Sequence, residues 1–208
     1  MRLPALKSGF LALLSLGLLA LACIIFGEAQ QSKRSGAART DGWPYYGHDA
    51  GGMRFSPLAQ INRGNVGSLK IAWTFHTGDI SDGIGGRKRS GLETTPILVD
   101  GTLYLTSGFN RVFAVDPETG KQRWVYDPKI DLAGKYGDGL INRGVAAWHD
   151  PSRSAGSPCR TRIFEATLDA RLIALDAATG KPCEDFGDAG RFRLARFRPI
   201  IPPFQRET

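Results

Sequence analysis

Two segments of this chain, "AVDPETGKQRW" at 114–124 and "ALDAATGKPCE" at 174–184, are near-copies lying sixty residues apart. A spaced repeat of this kind marks a chain built from one supersecondary unit used more than once. In each copy a short apolar run leads into Asp-x-x-Thr-Gly-Lys. Asp accepts N–H bonds from the turn that follows it, and Gly supplies the backbone conformation a side chain disfavours. The repeated element is therefore the turn between two strands.

Around the first copy the sequence predicts four strands of one antiparallel sheet. Ile97–Val99 and Leu103–Leu105 flank Asp100-Gly101, a strong two-residue hairpin signal. Val112–Val115 and Arg123–Tyr126 flank the repeated turn. The second copy has runs at Arg162–Ala166 and Arg171–Leu175 ahead of Asp176; its hairpin, read at Asp169-Ala170, lacks the glycine, and Ala resists the left-handed region. The run at 69–78 is expected to be the last strand of a preceding unit, with Trp73 standing where Trp124 stands in the first copy. One four-stranded sheet cannot bury both faces alone, so such units must stack. Radial stacking gives a β-propeller, an all-β fold.

The 208 residues carry a formal charge of +7 and three cysteines. Arg2 and Lys7 precede an apolar run from Phe10 to Phe26, which predicts an export signal over 1–29 cut after Ala29. An uncleaved membrane anchor and lipidation at Cys23 are the alternatives. Residues 30–40 read as a flexible linker, 41–194 as the propeller part and 195–208 as an irregular basic tail. The charge gives little support to a nucleic-acid partner, because much of the excess sits in the end segments: the stretch from Arg191 onward holds five arginines against Glu207. Removal of the signal leaves Cys159 and Cys183. In an oxidising compartment they can form one disulfide, free thiols being the alternative. Metal binding by this pair lacks the further ligands it would need.

Ala114-x-Asp116-x-x-Thr119-Gly120-Lys121-x-x-Trp124 resembles the tryptophan-docking motif of the eight-bladed quinoprotein dehydrogenases, whose cofactor is pyrroloquinoline quinone. In that family the motif's Trp packs between adjacent blades. Residues 41–79, with Trp43, Tyr46-Gly47, Arg54-Phe-Ser-Pro57, Ile61-Asn62, Asn65-Val66 and Ala72-Trp73, are similar to the family's lead-in, and the likeness runs almost continuously to Leu194. Residues 159–192 look most like the branch that contains membrane-bound glucose dehydrogenase, which also has a Cys on each side of this motif. Glu184 replaces the docking Trp in the second copy, and a Cys159–Cys183 bond is the expected substitute for that staple.

The resemblance carries two cofactor-binding residues onto this chain. Glu93, in "SGLETTPILV", stands where the family has a glutamate beside the quinone, and Arg143, in "INRGVAAW", where it has an arginine reaching the cofactor. A guanidinium suits the three carboxylates and carbonyl oxygens of that group. "INRG" also occurs at 61–64, but without the Val-Ala-Ala-Trp that follows Arg143, so Arg63 reads as a surface-loop residue. The methanol and ethanol dehydrogenases carry adjacent cysteines shortly before the arginine. "YGDGLINRG" has none, which favours a sugar-oxidising or unassigned branch. His48, His76 and His149 lack metal-ligand spacing, and His149 reads as a solvated loop residue.

By resemblance, a calcium ion polarises the quinone, an aspartate takes the hydroxyl proton of an alcohol or sugar, and electrons leave to a cytochrome or membrane quinone in the periplasm, or at a membrane if the N-terminal segment anchors the chain. No catalytic residue and no metal ligand is expected within this sequence, because the family places them in later blades. Residues 41–208 supply about two blades and a lead-in strand, so the chain is expected to be a truncated or split eight-bladed propeller, inactive alone. The reading from another class is a non-catalytic propeller scaffold of the bacterial envelope, for which Glu93 and Arg143 would be incidental.

Overall fold

The computed structural model describes residues 42–194. The expected signal, linker and basic tail lie outside the described residues. Apart from one 3₁₀ turn at Val66–Ser68, every regular element described is a β-strand.

The first blade has β2 (Ile97–Val99), β3 (Thr102–Thr106), β4 (Val112–Val115) and β5 (Gln122–Tyr126), antiparallel in chain order. The four runs read from sequence are these strands to within a residue. The second blade has β7 (Ala146–His149), β8 (Thr161–Ala166), β9 (Arg171–Asp176) and β10 (Arg191–Arg193) in the same order. Two further strands, β1 (Ser90–Leu92) and β6 (Leu140–Asn142), pair in parallel and precede the first strand of each blade.

Period-two alternation explains why the sheets stack face to face. Ile97, Tyr104, Val112 and Ala114 point one way and are buried against Ile163, Ile173, Leu175 and Ala177 of the second blade. On the other face of the first blade, Leu105, Phe113 and Val115 pack with Trp73 and Phe75. Each fully buried aliphatic side chain in such a core is worth about 1.5–3 kcal/mol.

The two copies of the turn share their principal hydrogen bonds. Oδ1 of Asp116 accepts the backbone N–H of Thr119 at 2.9 Å, and Oδ1 of Asp176 accepts that of Thr179 at 2.9 Å. The indole of Trp73 donates to the Pro117 carbonyl at 3.0 Å, and that of Trp124 donates to the Ala177 carbonyl at 3.0 Å. Both rings lie on the turn glycine. A Cβ on Gly120 would come within 2.7 Å of the Trp73 ring, and one on Gly180 within 2.6 Å of the Trp124 ring; both glycines have φ +70. The glycine is thus required twice, by backbone conformation and by the ring above it.

Two sequence expectations need correction. The run 69–78 places Trp73 in its docking position but forms no ladder among the described residues, so it is not a strand there. Asp169-Ala170 is not the counterpart of Asp100-Gly101. It ends the β8–β9 turn, whose bonds Thr167 N–H to Arg171 O (2.8 Å) and Ala170 N–H to Thr167 O (3.0 Å) match Ser107 N–H to Arg111 O (3.0 Å) and Asn110 N–H to Ser107 O (3.0 Å) between β3 and β4. Strand β7, hidden in "VAAWH", shifts the count by one, and the true counterpart of Asp100-Gly101 is the long β7–β8 connection that carries Cys159. The two blades also differ after the repeated turn: in the first the chain runs directly into β5 at Gln122, and in the second it does not. Pro182 bridges Leu175, the chain loops out, and β10 resumes the ladder with Arg191 opposite Ile173.

Cys159 and Cys183 are disulfide-bonded. The bond lies on the outer face of the second blade with Ala174, Phe164 and Phe186, and it ties the β7–β8 connection to the interrupted outer strand. The Cys159 N–H also donates to Asp176 Oδ2 at 2.6 Å, which couples the bond to the repeated turn.

Two opposite backbone substitutions test this account. Gly180→Ala is expected to destabilise the chain by more than about 2 kcal/mol, because the Trp124 ring must move. Ala170→Gly is expected to stabilise by up to about 1 kcal/mol, since Ala170 holds φ +62. Urea unfolding of both variants measures the pair. Reduction of the disulfide is expected to lower stability by about 3 kcal/mol and to expose two alkylatable thiols that are absent before reduction.

Candidate functional site

Glu93 and Arg143 occupy equivalent places in the two repeats, each the residue after a β1 or β6 strand and a few positions ahead of its blade's first strand. The parallel ladder pairs Ser90 with Leu140, Gly91 with Ile141 and Leu92 with Asn142. Residues fifty positions apart in sequence are thereby made neighbours. Arg143 Nη2 lies 3.2 Å from Glu93 Oε2 and 3.9 Å from Asp138 Oδ2. Both side chains remain open to solvent, Arg143 at 69% and Glu93 at 47%. An exposed pair of this kind adds little to stability, about 0–1 kcal/mol, so it has donors and acceptors to spare for a ligand.

Beneath the pair, a polar network fills the seam between the blades. The Thr106 hydroxyl donates to Asn142 Oδ1 at 2.9 Å and lies 3.1 Å from the Thr94 hydroxyl. Asn142 Nδ2 points to Glu165 Oε1 at 3.4 Å. Glu165 is fully buried, and its Oε2 has no partner. Burial pushes its carboxyl up to about 9; Arg171 pulls it down, while Asp169 and Asp127 push it further up. Glu165 is therefore a neutral acid at pH 7.

Sequence reading names Glu93 and Arg143, which the structure brings together, and passes over Asn142 and Glu165. A signal for Glu165 was present: in "RIFEAT" it shares the period-two face of Ile163, so an ionisable group falls on an apolar stripe. Asn142 was read only as a letter of "INRG". Arg63 is exposed, as expected of a surface loop. His149 sits at the far end of β7 from Arg143, exposed, with Nδ1 3.1 Å from the Thr161 hydroxyl and Nε2 accepting from Arg160 at 2.9 Å. No cluster of three potential metal ligands occurs among the described residues. A groove of about 1350 Å³, lined by Asp100, Trp124, Arg153, Cys159 and Asp176, opens at the turn end of the blades and does not include Glu93 or Arg143.

Residues 43–203 match the family model described as PQQ: glucose/ethanol/alcohol dehydrogenase, beta-propeller domain. The chain is 36% identical over 180 residues to quinoprotein glucose dehydrogenase A of Acinetobacter calcoaceticus, covering 81% of this chain and 22% of the relative. It is 40% identical over 166 residues to the quinoprotein glucose dehydrogenase of Escherichia coli (strain K12), covering 77% and 20%. Among solved structures it is similar to the quinohemoprotein alcohol dehydrogenase from Comamonas testosteroni, with a TM-score of 0.54, 38% identity, and coverage of 71% of this chain and 19% of that one. The chain thus spans 20–22% of the length of these curated glucose dehydrogenases.

The neutral Glu165 generates a prediction with a definite sign. A carboxyl whose folded-state pKa is raised keeps its proton in the folded chain after the unfolded chain has lost it. Stability therefore falls as pH rises from 4.5 towards about 9, and levels off above. Glu165→Gln, which cannot ionise, is expected to flatten that slope and to be more stable than the parent at pH 8. Thermal melts across the range measure it; parallel slopes in the two proteins would mean that Glu165 is already charged.

Proposed function

The chain belongs to the PQQ-dependent glucose/ethanol/alcohol dehydrogenase β-propeller family, on its glucose dehydrogenase-like branch, and from that premise we propose that it is the quinone-binding N-terminal part of a dehydrogenase acting on a sugar or alcohol hydroxyl. The observation that carries the reading is the Glu93–Arg143 pair. Two residues assigned to one cofactor from separate motifs are brought to 3.2 Å by a ladder that neither motif encodes.

The donor set suits pyrroloquinoline quinone. Arg143 offers a planar fork of N–H donors, only partly engaged by Glu93, to carboxylate and carbonyl oxygens. Glu93 restrains the guanidinium from one side and leaves its other edge open. When bound, the quinone supplies the electrophile that accepts the hydride equivalent of the oxidised alcohol. The residues of this chain bind and orient it. The metal ion, for which calcium is our reading, and the aspartate that takes the hydroxyl proton are assigned to the part of the relatives' length that this chain does not span. Periplasmic location, and a cytochrome or membrane quinone as electron acceptor, follow from the same reading. The relatives named above are dehydrogenases, which favours this reading over a propeller scaffold.

A fluorescence titration of the full chain with pyrroloquinoline quinone tests the assignment. Arg143→Ala is expected to weaken binding by at least tenfold, the loss of one charge-assisted contact worth about 1.5–3 kcal/mol. Arg143→Lys is expected to fall between, because it keeps the charge and loses the fork. Equal affinity of parent and Arg143→Ala would overturn the assignment.

A further inference from the structure

Asn142 lies one residue before Arg143, is 7% exposed, and uses every hydrogen-bonding position it has. Oδ1 accepts from the Thr106 hydroxyl at 2.9 Å and from the Gly144 N–H at 3.0 Å. Nδ2 donates to Glu165 Oε1 at 3.4 Å and to the Ala166 carbonyl at 3.3 Å. Thr106 belongs to the first blade; Glu165 and Ala166 belong to the second. One side-chain amide therefore bridges the two sheets and folds the backbone around Arg143.

The remaining contacts tighten the same short segment. The Arg143 carbonyl accepts the Thr95 N–H at 3.2 Å. Gly144 holds φ +126, and a Cβ there would lie 2.9 Å from the Thr95 carbonyl oxygen. The backbone of Arg143 is thus fixed on both sides while its guanidinium projects into solvent.

We propose that Asn142 is a positioning residue for Arg143, with the Glu165 carboxyl as its anchor, so that the guanidinium offered to the quinone is held by both blades at once. The proposal rests on the reading of Arg143 as a quinone ligand. It also gives the site a pH limit. The groups bearing on Glu165 are Arg171 of β9, Asp169 of the β8–β9 turn and Asp127 after β5. Arg171 is engaged with Asp169 at 2.7 Å. A proton lost from Glu165 makes Oε1 a better acceptor for Asn142 Nδ2, but the charge is buried and Arg171 is already paired with Asp169; hydrating it opens the seam, and the clamp on Arg143 loosens.

Amide hydrogen exchange at Gly144, read by NMR on the full chain without cofactor, tests the clamp; quinone titration of the same proteins tests its consequence. In the parent, Gly144 protection is expected to drop about tenfold between pH 8 and pH 10 beyond the intrinsic rate change, and quinone affinity to fall with it. Glu165→Gln preserves the acceptor and cannot ionise, so it is expected to keep both constant over that range. Asn142→Ala is expected to lose Gly144 protection at all pH values and about tenfold in quinone affinity; Asn142→Leu, of nearly the same shape and with no hydrogen-bonding group, serves if the alanine variant fails to fold. Glu165→Gln and parent with the same alkaline profiles at Gly144 would overturn the proposal. So would an Asn142→Leu variant with parental exchange and affinity. If Arg143→Ala binds quinone as the parent does, the cofactor reading fails and takes the positioning role with it. If Arg143→Ala loses binding while the Asn142 and Glu165 variants change nothing, only the positioning role fails.

Discussion

An indole ring laid on a turn glycine, with its N–H on a carbonyl of the same turn, joins one unit to the next at two places among the described residues. Trp73 does this to the turn at Gly120, and Trp124 does it to the turn at Gly180. The contact combines a large apolar surface with one directional bond, so it sets both the spacing and the rotation between neighbouring sheets. The Asp carboxylate that organises each turn is part of the same device. It accepts the Thr N–H of the turn that carries the glycine and the accepting carbonyl, which is why Asp, Thr and Gly recur together. The Ala177 carbonyl, which takes the Trp124 N–H, also accepts the Tyr104 hydroxyl at 2.9 Å, so the two blades meet at one doubly used acceptor.

Where the device stops, another replaces it. Glu184 stands in the place of a docking Trp, and the outer strand of the second blade is interrupted there. The disulfide lies beside that interruption and links it to the β7–β8 connection. A covalent cross-link restrains the chain without needing a ring to stack or a neighbouring turn to receive it. On the opposite side of the same sheet, the seam with the first blade is polar at the end near Arg143 and apolar towards the docked Trp124. The polar end is costly to bury, and its amide and hydroxyl groups find partners while one carboxyl oxygen does not. Such expense beside exposed ligand-type residues is typical of a site that must hold a side chain in one place.

Much of this was legible in the order of residues. Alternation gave β3 and β4, Asp100-Gly101 gave their hairpin with β2, and the repeated turn gave the blade. The errors came where local signals were counted without knowing which strands pair. Strand β7 shows weak alternation because Trp148 and His149 are both exposed, so the turn at Asp169-Ala170 was matched to the wrong hairpin. The run through Trp73 has the residues of a strand, but a strand is defined by its partner and not by its own sequence.

The sequence by itself determined the repeat unit and the docking of Trp73 and Trp124, because each of these depends on residues close together in the chain or on a motif copied whole. The tertiary structure alone decided that Glu93 and Arg143 stand side by side, and that Glu165 is buried against Asn142, where loss of solvent raises its pKa. Those facts depend on β1 finding β6 fifty residues away and on the face one blade turns to the next. Neither is written at any single position: an ion pair and a desolvated carboxyl are properties of what surrounds a residue, and the surroundings exist only once the sheets have stacked.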